Sequence, residues 1–209
     1  IVPCSGCDSV PSDLGAYFAV HALRSRGATG GIKVMASYIA RGGLNGGTIA
    51  SGLHMGESGA HTQMGNLFLL NPSAQRSDVQ STDFQSDPRW PRYSRVLKRW
   101  LAPFVMAQIN TRVVRRSCAL FVDTPDNYGA GFEYQEFMEC RPPFGALKAL
   151  SVSLGLSIID HLFRNAAGRK MVRWLMPKPG QGPSESSMDS GFFRARFIAE
   201  DHDGQRLVA

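Results

Sequence analysis

The residues best suited to hold a polar ligand stand in three places: a turn and helix start within Ile1–Gly15, a glycine loop at Gly46–Ser51, and an arginine cluster at 112–116. In IVPCSGCDSVPSDLG, Ile1 and Val2 read as the end of a buried strand, and Gly6 permits a sharp turn. Ser9 or Ser12 can accept from the free amides of a first helical turn. Pro11 suits an early helical position and Asp13 favours the positive helix end. Strand, polar turn and helix start in that order build the crevice where ligands sit in α/β folds. The same order recurs at Gly46, Gly47, Thr48 and Ser51, where free amides can bind an anion or a carboxylate. The ordinary alternative there is a flexible connector before a plain helix. Arg112, Arg115 and Arg116, spaced i, i+3 and i+4, share one helix face.

Other chemistries lack their parts. Ser9 and Ser51 have no motif-linked histidine, and the sequence contains neither a Gly-x-Ser-x-Gly elbow nor a Walker loop. Cys4 and Cys7 have redox-motif spacing but no βαβ frame around them. No second close pair completes a zinc site, so no metal is assigned. With Cys118 and Cys140 they read as partly buried thiols of a reducing compartment. His54 and His61, seven apart on either side of a weak helix end, do not make a metal pair. The RGATGG run from Arg26 follows a helix and precedes a strand, the reverse of a dinucleotide fingerprint, and reads as a connector.

The elements that must position these residues follow from periodicity. Leu14, Phe18 and Ala22, with Tyr17 and His21 alongside, give a helix to about Arg26. Ile32–Ala40 reads as a strand, and the Gly46 loop opens the next helix. Gly59–Ser86 is a long polar surface loop, suited to be a lid, around the apolar patch 67–70. Asp87–Phe104 interleaves Arg89, Arg92, Arg95, Lys98 and Arg99 with Trp90, Tyr93 and Trp100. That mixture suits a membrane interface at 89–100, a phosphate-bearing carrier or single-stranded nucleic acid, against the plain alternative of a solvated helix face. Ala102–Ser117 predicts a helix, 119–122 a short strand, and Gly131–Cys140 a strand whose alternation Glu136 breaks. Gly145–Met176 predicts one long helix with Leu147, Leu150, Leu154, Ile158 and Leu162 as its apolar stripe, a core or subunit-interface helix. Two strands joined by a turn at Asp201–Gly204 close the chain. The order implies an α/β or α+β fold with one mixed β-sheet and flanking helices. With 43% hydrophobic and 19% charged residues, 209 residues bury a substantial core. The net charge of +6 and pI near 9.4 imply an acidic or anionic partner.

Together the motifs say more. Cys4-Ser-Gly-Cys-Asp-Ser-Val-Pro-Ser-Asp-Leu-Gly15 closely resembles the Gly-Phe-Asp-Ser-Ile-Pro-Ser-Asp-Leu-Gly segment of saccharopine dehydrogenase-like oxidoreductases, nearest to the subgroup called trans-acting enoyl reductases. Gly46–Ser51, Ile109–Ser117, Gly182–Glu185 and Gly191–Phe197 look like further blocks in the family's order. Two departures stand out: Cys7 replaces the usual Phe, and Cys118 a frequent Asn. The resemblance implies a Rossmann-type two-domain enzyme using NADP(H). Residues 1–15 would be the seam from a nucleotide-binding domain outside this sequence, and 16–209 the substrate and homodimerisation domain. It places Gly6 and Cys7 beside the cofactor and Asp8, Ser9 and Asp13 at the catalytic centre. Gly46, Gly47, Thr48, Ser51, Arg112 and Arg115 would face an acyl or lipid-type substrate, free or carrier-bound. The competing expectation is a non-catalytic, membrane-associated or accessory interaction domain that keeps the fold. The expected location is cytoplasmic, with peripheral membrane contact through 89–100, and nucleic acid is not an expected partner.

Overall fold

Ile32–Arg41 (β1) carries charge only at Lys33 and Arg41, and six successive residues, Val34–Ile39, are buried, the mark of a strand covered on both faces. It lies at the centre of the computed structural model, which describes residues 6, 9–41, 46–73, 83–175, 180 and 182–209. The other strands are β2 (Arg92–Ser94), β3 (Arg99–Pro103), β4 (Glu133–Cys140), β5 (Phe192–Asp201) and β6 (Arg206–Val208). They form one mixed sheet in the order β2-β3-β4-β1-β5-β6. Among the described residues β1 and β4 are the pair that runs parallel, with Ala36 opposite Glu136, while β5 pairs antiparallel with the whole of β1.

On one face, α1 (Val10–Arg24) and α3 (Ala107–Leu120) cover the sheet. Ala16, Ala19, Val20, Leu23 and Val114 pack there against Val34, Ala36, Tyr134, Phe197 and Ala199. The opposite face gathers Met35, Phe137, Leu101 and Ile198 under Phe84 and Leu97. There Glu139 accepts from Ser37 at 2.9 Å and from Arg196 at 2.9 Å. Beyond the sheet, α2 (Gly46–Ser58) seats Ile49 and Leu53 against Leu162, Phe163 and Val172 of α4 (Gly145–Arg164) and α5 (Ala166–Leu175). α4 also lies on β3 and β4 through Ala149, Trp100, Ala102 and Cys140. Among the described residues there are also 3₁₀ turns at Ala60–Gly65 and Asp83–Gln85 and the short α6 (Glu185–Asp189).

Several expectations are corrected. α1 turns Leu14 and Phe18 outward and buries Ser12, Ala16, Ala19 and Leu23 instead. Gly15 explains this: a Cβ there would lie 2.0 Å from the Phe197 ring, so the small-residue face is the one that fits the sheet. The 89–103 stretch is the β2–β3 hairpin, with Tyr93 paired across to Trp100 at 5.7 Å. The following helix therefore starts at Ala107, and the expected strand at 119–122 is its last turn and C-cap. The long helix is two: the Asn165 side chain accepts from the Gly168 amide at 2.6 Å and so begins α5 as a cap. Of the expected α4 stripe, Leu162 packs against α2, while Leu147, Leu150, Leu154 and Ile158 face outward, because Ala149 and Ser153 are the residues pressed inward.

Gly56 fixes how closely α2 approaches α4. Elsewhere in a helix Ala is preferred to Gly by about 1 kcal/mol, but a Cβ at Gly56 would lie 2.1 Å from the Phe163 carbonyl oxygen. Gly56→Ala is expected to destabilise the fold by about 1–3 kcal/mol in urea denaturation, since backbone must move to admit it.

Candidate functional site

α1 starts at the carboxyl end of β1, beside the parallel strand β4, and its first turn brings Ser9 and Ser12 onto the sheet. This is the side on which ligands bind in sheets with parallel strands. The hydroxyls do not cap the helix, as the sequence led one to expect. Ser9 donates instead to the Asn110 side chain at 2.9 Å, and Ser12 meets the Tyr38 hydroxyl at 2.7 Å.

Both bonds lead to one carboxyl group. Glu136 has no exposed surface. It accepts from Tyr134 at 2.7 Å, from Tyr38 at 3.3 Å and from the Asn110 amide at 3.1 Å. The Tyr38 ring is stacked between Phe104 at 4.6 Å and Phe193 at 5.3 Å, which fixes its hydroxyl. Burial pushes the Glu136 pKa up to about 6, and the surrounding hydrogen-bond donors keep it from rising further. Burial and the neighbouring carboxylate push both tyrosines upward as well, so they stay protonated and donate. The result is a carboxyl that exchanges a proton near neutrality, wired through Tyr38 to Ser12.

The other expected residues are distributed around this cluster rather than within it. Gly6 closes the turn, its carbonyl accepting from the Val10 amide at 3.1 Å, whereas Cys7 and Asp8 lie outside the described residues. Asp13 sits one turn further along the α1–α3 seam, held by Ser117 at 2.9 Å, with its second oxygen buried and unpartnered. Burial raises its pKa. Gly46 opens α2 and Ser51 donates back to the Gly47 carbonyl at 3.1 Å; Gly47, Thr48 and Ser51 are exposed.

Arg112 and Arg115 do share a face of α3, with their guanidinium groups committed to the protein. Arg112 donates to Asp87 at 2.5 Å and to the Met64 carbonyl at 2.5 Å. Arg115 donates to the carbonyls of Leu67 at 3.1 Å, Gln85 at 2.6 Å and Tyr134 at 3.2 Å. Arg116 takes the Leu70 carbonyl. Three arginines thus fasten the expected lid to α3. Burial, then the charge of Arg112, pulls the Arg115 pKa down to about 10. Among the described residues no group of three His, Cys, Asp or Glu is placed to hold a metal.

Sequence reasoning missed Glu136, Tyr38, Tyr134 and Asn110 as a unit. The available signal was the charged residue interrupting the strand at 136, since a carboxyl on a buried strand needs several donors.

Along its whole length the chain is 33% identical to a Mycobacterium tuberculosis protein provisionally named a trans-acting enoyl reductase. It is 30% and 27% identical to proteins named trans-acting enoyl reductase from Mycobacterium ulcerans and Mycobacterium leprae. Each match covers 100% of this chain and 52% of the relative, so the chain spans about half the length of the curated relatives it matches. No family model matches the chain, and no solved structure matches it.

The folded Glu136 pKa of about 6 lies above its ordinary 4.5, so folding favours the protonated form. Its stabilising contribution is full below pH 4.5 and is lost as pH rises through about 6, a change of about 2 kcal/mol. Chemical denaturation of wild type and Glu136→Gln across that window is expected to show the difference shifting in the variant's favour by about that amount. A difference that stays flat with pH would contradict it.

Proposed function

We propose that this chain forms the substrate side of an NADP(H)-dependent enoyl reductase of the saccharopine dehydrogenase-like type, acting on an acyl or lipid-type substrate. The observation that carries the reading is the buried Glu136 carboxyl, near neutral in pKa and connected to the first turn of α1. The names of the relatives and the Asp-Ser-Val-Pro-Ser-Asp motif on that turn support it.

The Ser9 and Ser12 hydroxyls and the Asn110 carboxamide at the turn are uncharged, fully buried and bonded within the cluster, so they shape the site from beneath. Arg112 and Arg115 are engaged elsewhere, so phosphate contacts would come from other residues. In this reading Gly6 stands on the cofactor side of the turn, and Gly46–Ser51 on the substrate side. The nicotinamide, when bound, supplies the hydride that adds to the β-carbon of the activated double bond. As the electrons of that bond move toward the carbonyl oxygen, the α-carbon must gain a proton. Glu136 holds this proton; Tyr38 and Ser12 pass it along their 3.3 Å and 2.7 Å hydrogen bonds to the turn, and water restores it. Asn110 orients Glu136 and Ser9 together. Asp13, one turn away, shapes the seam rather than the relay.

The test is NADPH oxidation by the intact protein on an α,β-unsaturated acyl thioester. Wild type is expected to turn over, with kcat falling as pH rises through about 6 and Glu136 loses its proton. Glu136→Gln is expected to lower kcat about a hundredfold with little change in KM and to remove that pH limb. Absence of turnover by wild type, or a variant with the same pH limb, would refute the assignment.

A further inference from the structure

α4 is 20 residues long, about 30 Å, and turns a row of large apolar side chains away from the sheet. Leu147, Leu150, Leu154 and Ile158 form an exposed stripe, while Ala149 and Ser153 are buried beneath. α5 continues this surface. Trp174 is 84% exposed and Leu175 61%, and the shallow cleft between the two helices is walled by Ile159, Leu162, Met171 and Leu175 with Ile49 of α2. Leaving so much apolar surface in water is costly, so something covers it.

Charge selects the occupant. Gly145–Leu175 carries five basic residues, Lys148, Arg164, Arg169, Lys170 and Arg173, against the acid Asp160, which pairs with Arg164 at 2.8 Å, and Glu57 of the neighbouring α2, which pairs with Arg173, so the surface keeps a net positive charge. A second copy would bring the same positive surface to the contact, whereas an anionic lipid surface complements it. An apolar stripe with a terminal tryptophan and flanking Lys and Arg is the composition of a helix lying in a bilayer interface. α4 is long and apolar enough to cross a membrane by length and composition. Its inner face is nevertheless seated on β3 and β4, and its charged residues lie within the helix, so it rests in the plane. The β2–β3 hairpin, where the sequence alone placed membrane contact, uses Arg92 across the Phe137 ring at 4.7 Å and pairs Tyr93 with Trp100. We infer that α4 and α5 dock this protein on an anionic membrane surface, through Leu154, Ile158, Trp174 and Leu175. This is independent of the reductase reading.

Co-sedimentation of the intact protein with phosphatidylcholine vesicles, with and without phosphatidylglycerol, tests it. Binding is expected only to the anionic vesicles and to weaken with salt. The exposed-site variant Trp174→Ser/Leu175→Ser is expected to bind about tenfold more weakly while unfolding at the same temperature as wild type. No binding by wild type, or undiminished binding by the variant, would overturn the inference. So would Leu154→Glu/Ile158→Glu lowering the oligomeric mass with vesicle binding intact, which would make the face an interface between copies. Loss of binding on Arg89→Gln/Arg95→Gln/Lys98→Gln, with the α5 variant unaffected, would return the contact to the hairpin.

Discussion

A carboxyl group with no exposed surface has to be satisfied by whatever surrounds it, and at Glu136 the direct hydrogen bonds come from uncharged donors. Tyr134 is on the same strand, Tyr38 on the neighbouring parallel strand and Asn110 on α3, so the cluster exists only when all three elements are seated. Ser9 and Ser12 add α1. Neutral donors compensate a buried carboxylate incompletely, which is why the pKa settles upward, within reach of neutral pH. The same constraint that organises this face therefore leaves it with a group able to exchange a proton.

From that cluster the dependence spreads along α3. α1 and α3 run side by side in the same direction, joined at Ser9–Asn110, Asp13–Ser117 and Tyr17–Phe121. On another side of α3, Arg112, Arg115 and Arg116 take the carbonyls of Met64, Leu67 and Leu70 in succession. A polar segment is thereby held to α3 by side-chain donors that satisfy three of its carbonyls. Arg115 also reaches the Tyr134 carbonyl, linking the fastening of the loop to the strand that carries Glu136. α2, α4 and α5 form a second packing unit with bulkier contacts, and its outer surface is apolar and basic rather than polar and buried.

The architecture was legible where local pattern decides it. β1, β4 and the terminal β5–β6 hairpin match the alternation and turn chemistry, as do the starts of α1, α2 and α4. The helix faces were not legible, because leucine spacing alone cannot show which side meets the sheet. In α1 and α4 the close approach allowed by Gly15, Ala16, Ala149 and Ser153 outweighs the burial that Leu14, Phe18 and the α4 stripe would gain. The hairpin at 92–103 was obscured by charges that a short edge strand tolerates. At the candidate site, α1's polar first turn could be read from sequence. Its partners could not, since Asn110 and Glu136 are separated from it by about a hundred residues of chain and meet it only through sheet register.

The central claim, that Glu136 is a buried acid held near neutrality by Tyr38, Tyr134 and Asn110, is open to direct observation. A carbon-13 titration of the glutamate side-chain carboxyls, with Glu136 assigned by its loss in Glu136→Gln, reads the protonation of this one group. A midpoint near pH 6 is expected, rising further in Asn110→Ala as a donor to the carboxylate is removed. A midpoint at the ordinary 4.5, unmoved by that substitution, would contradict it.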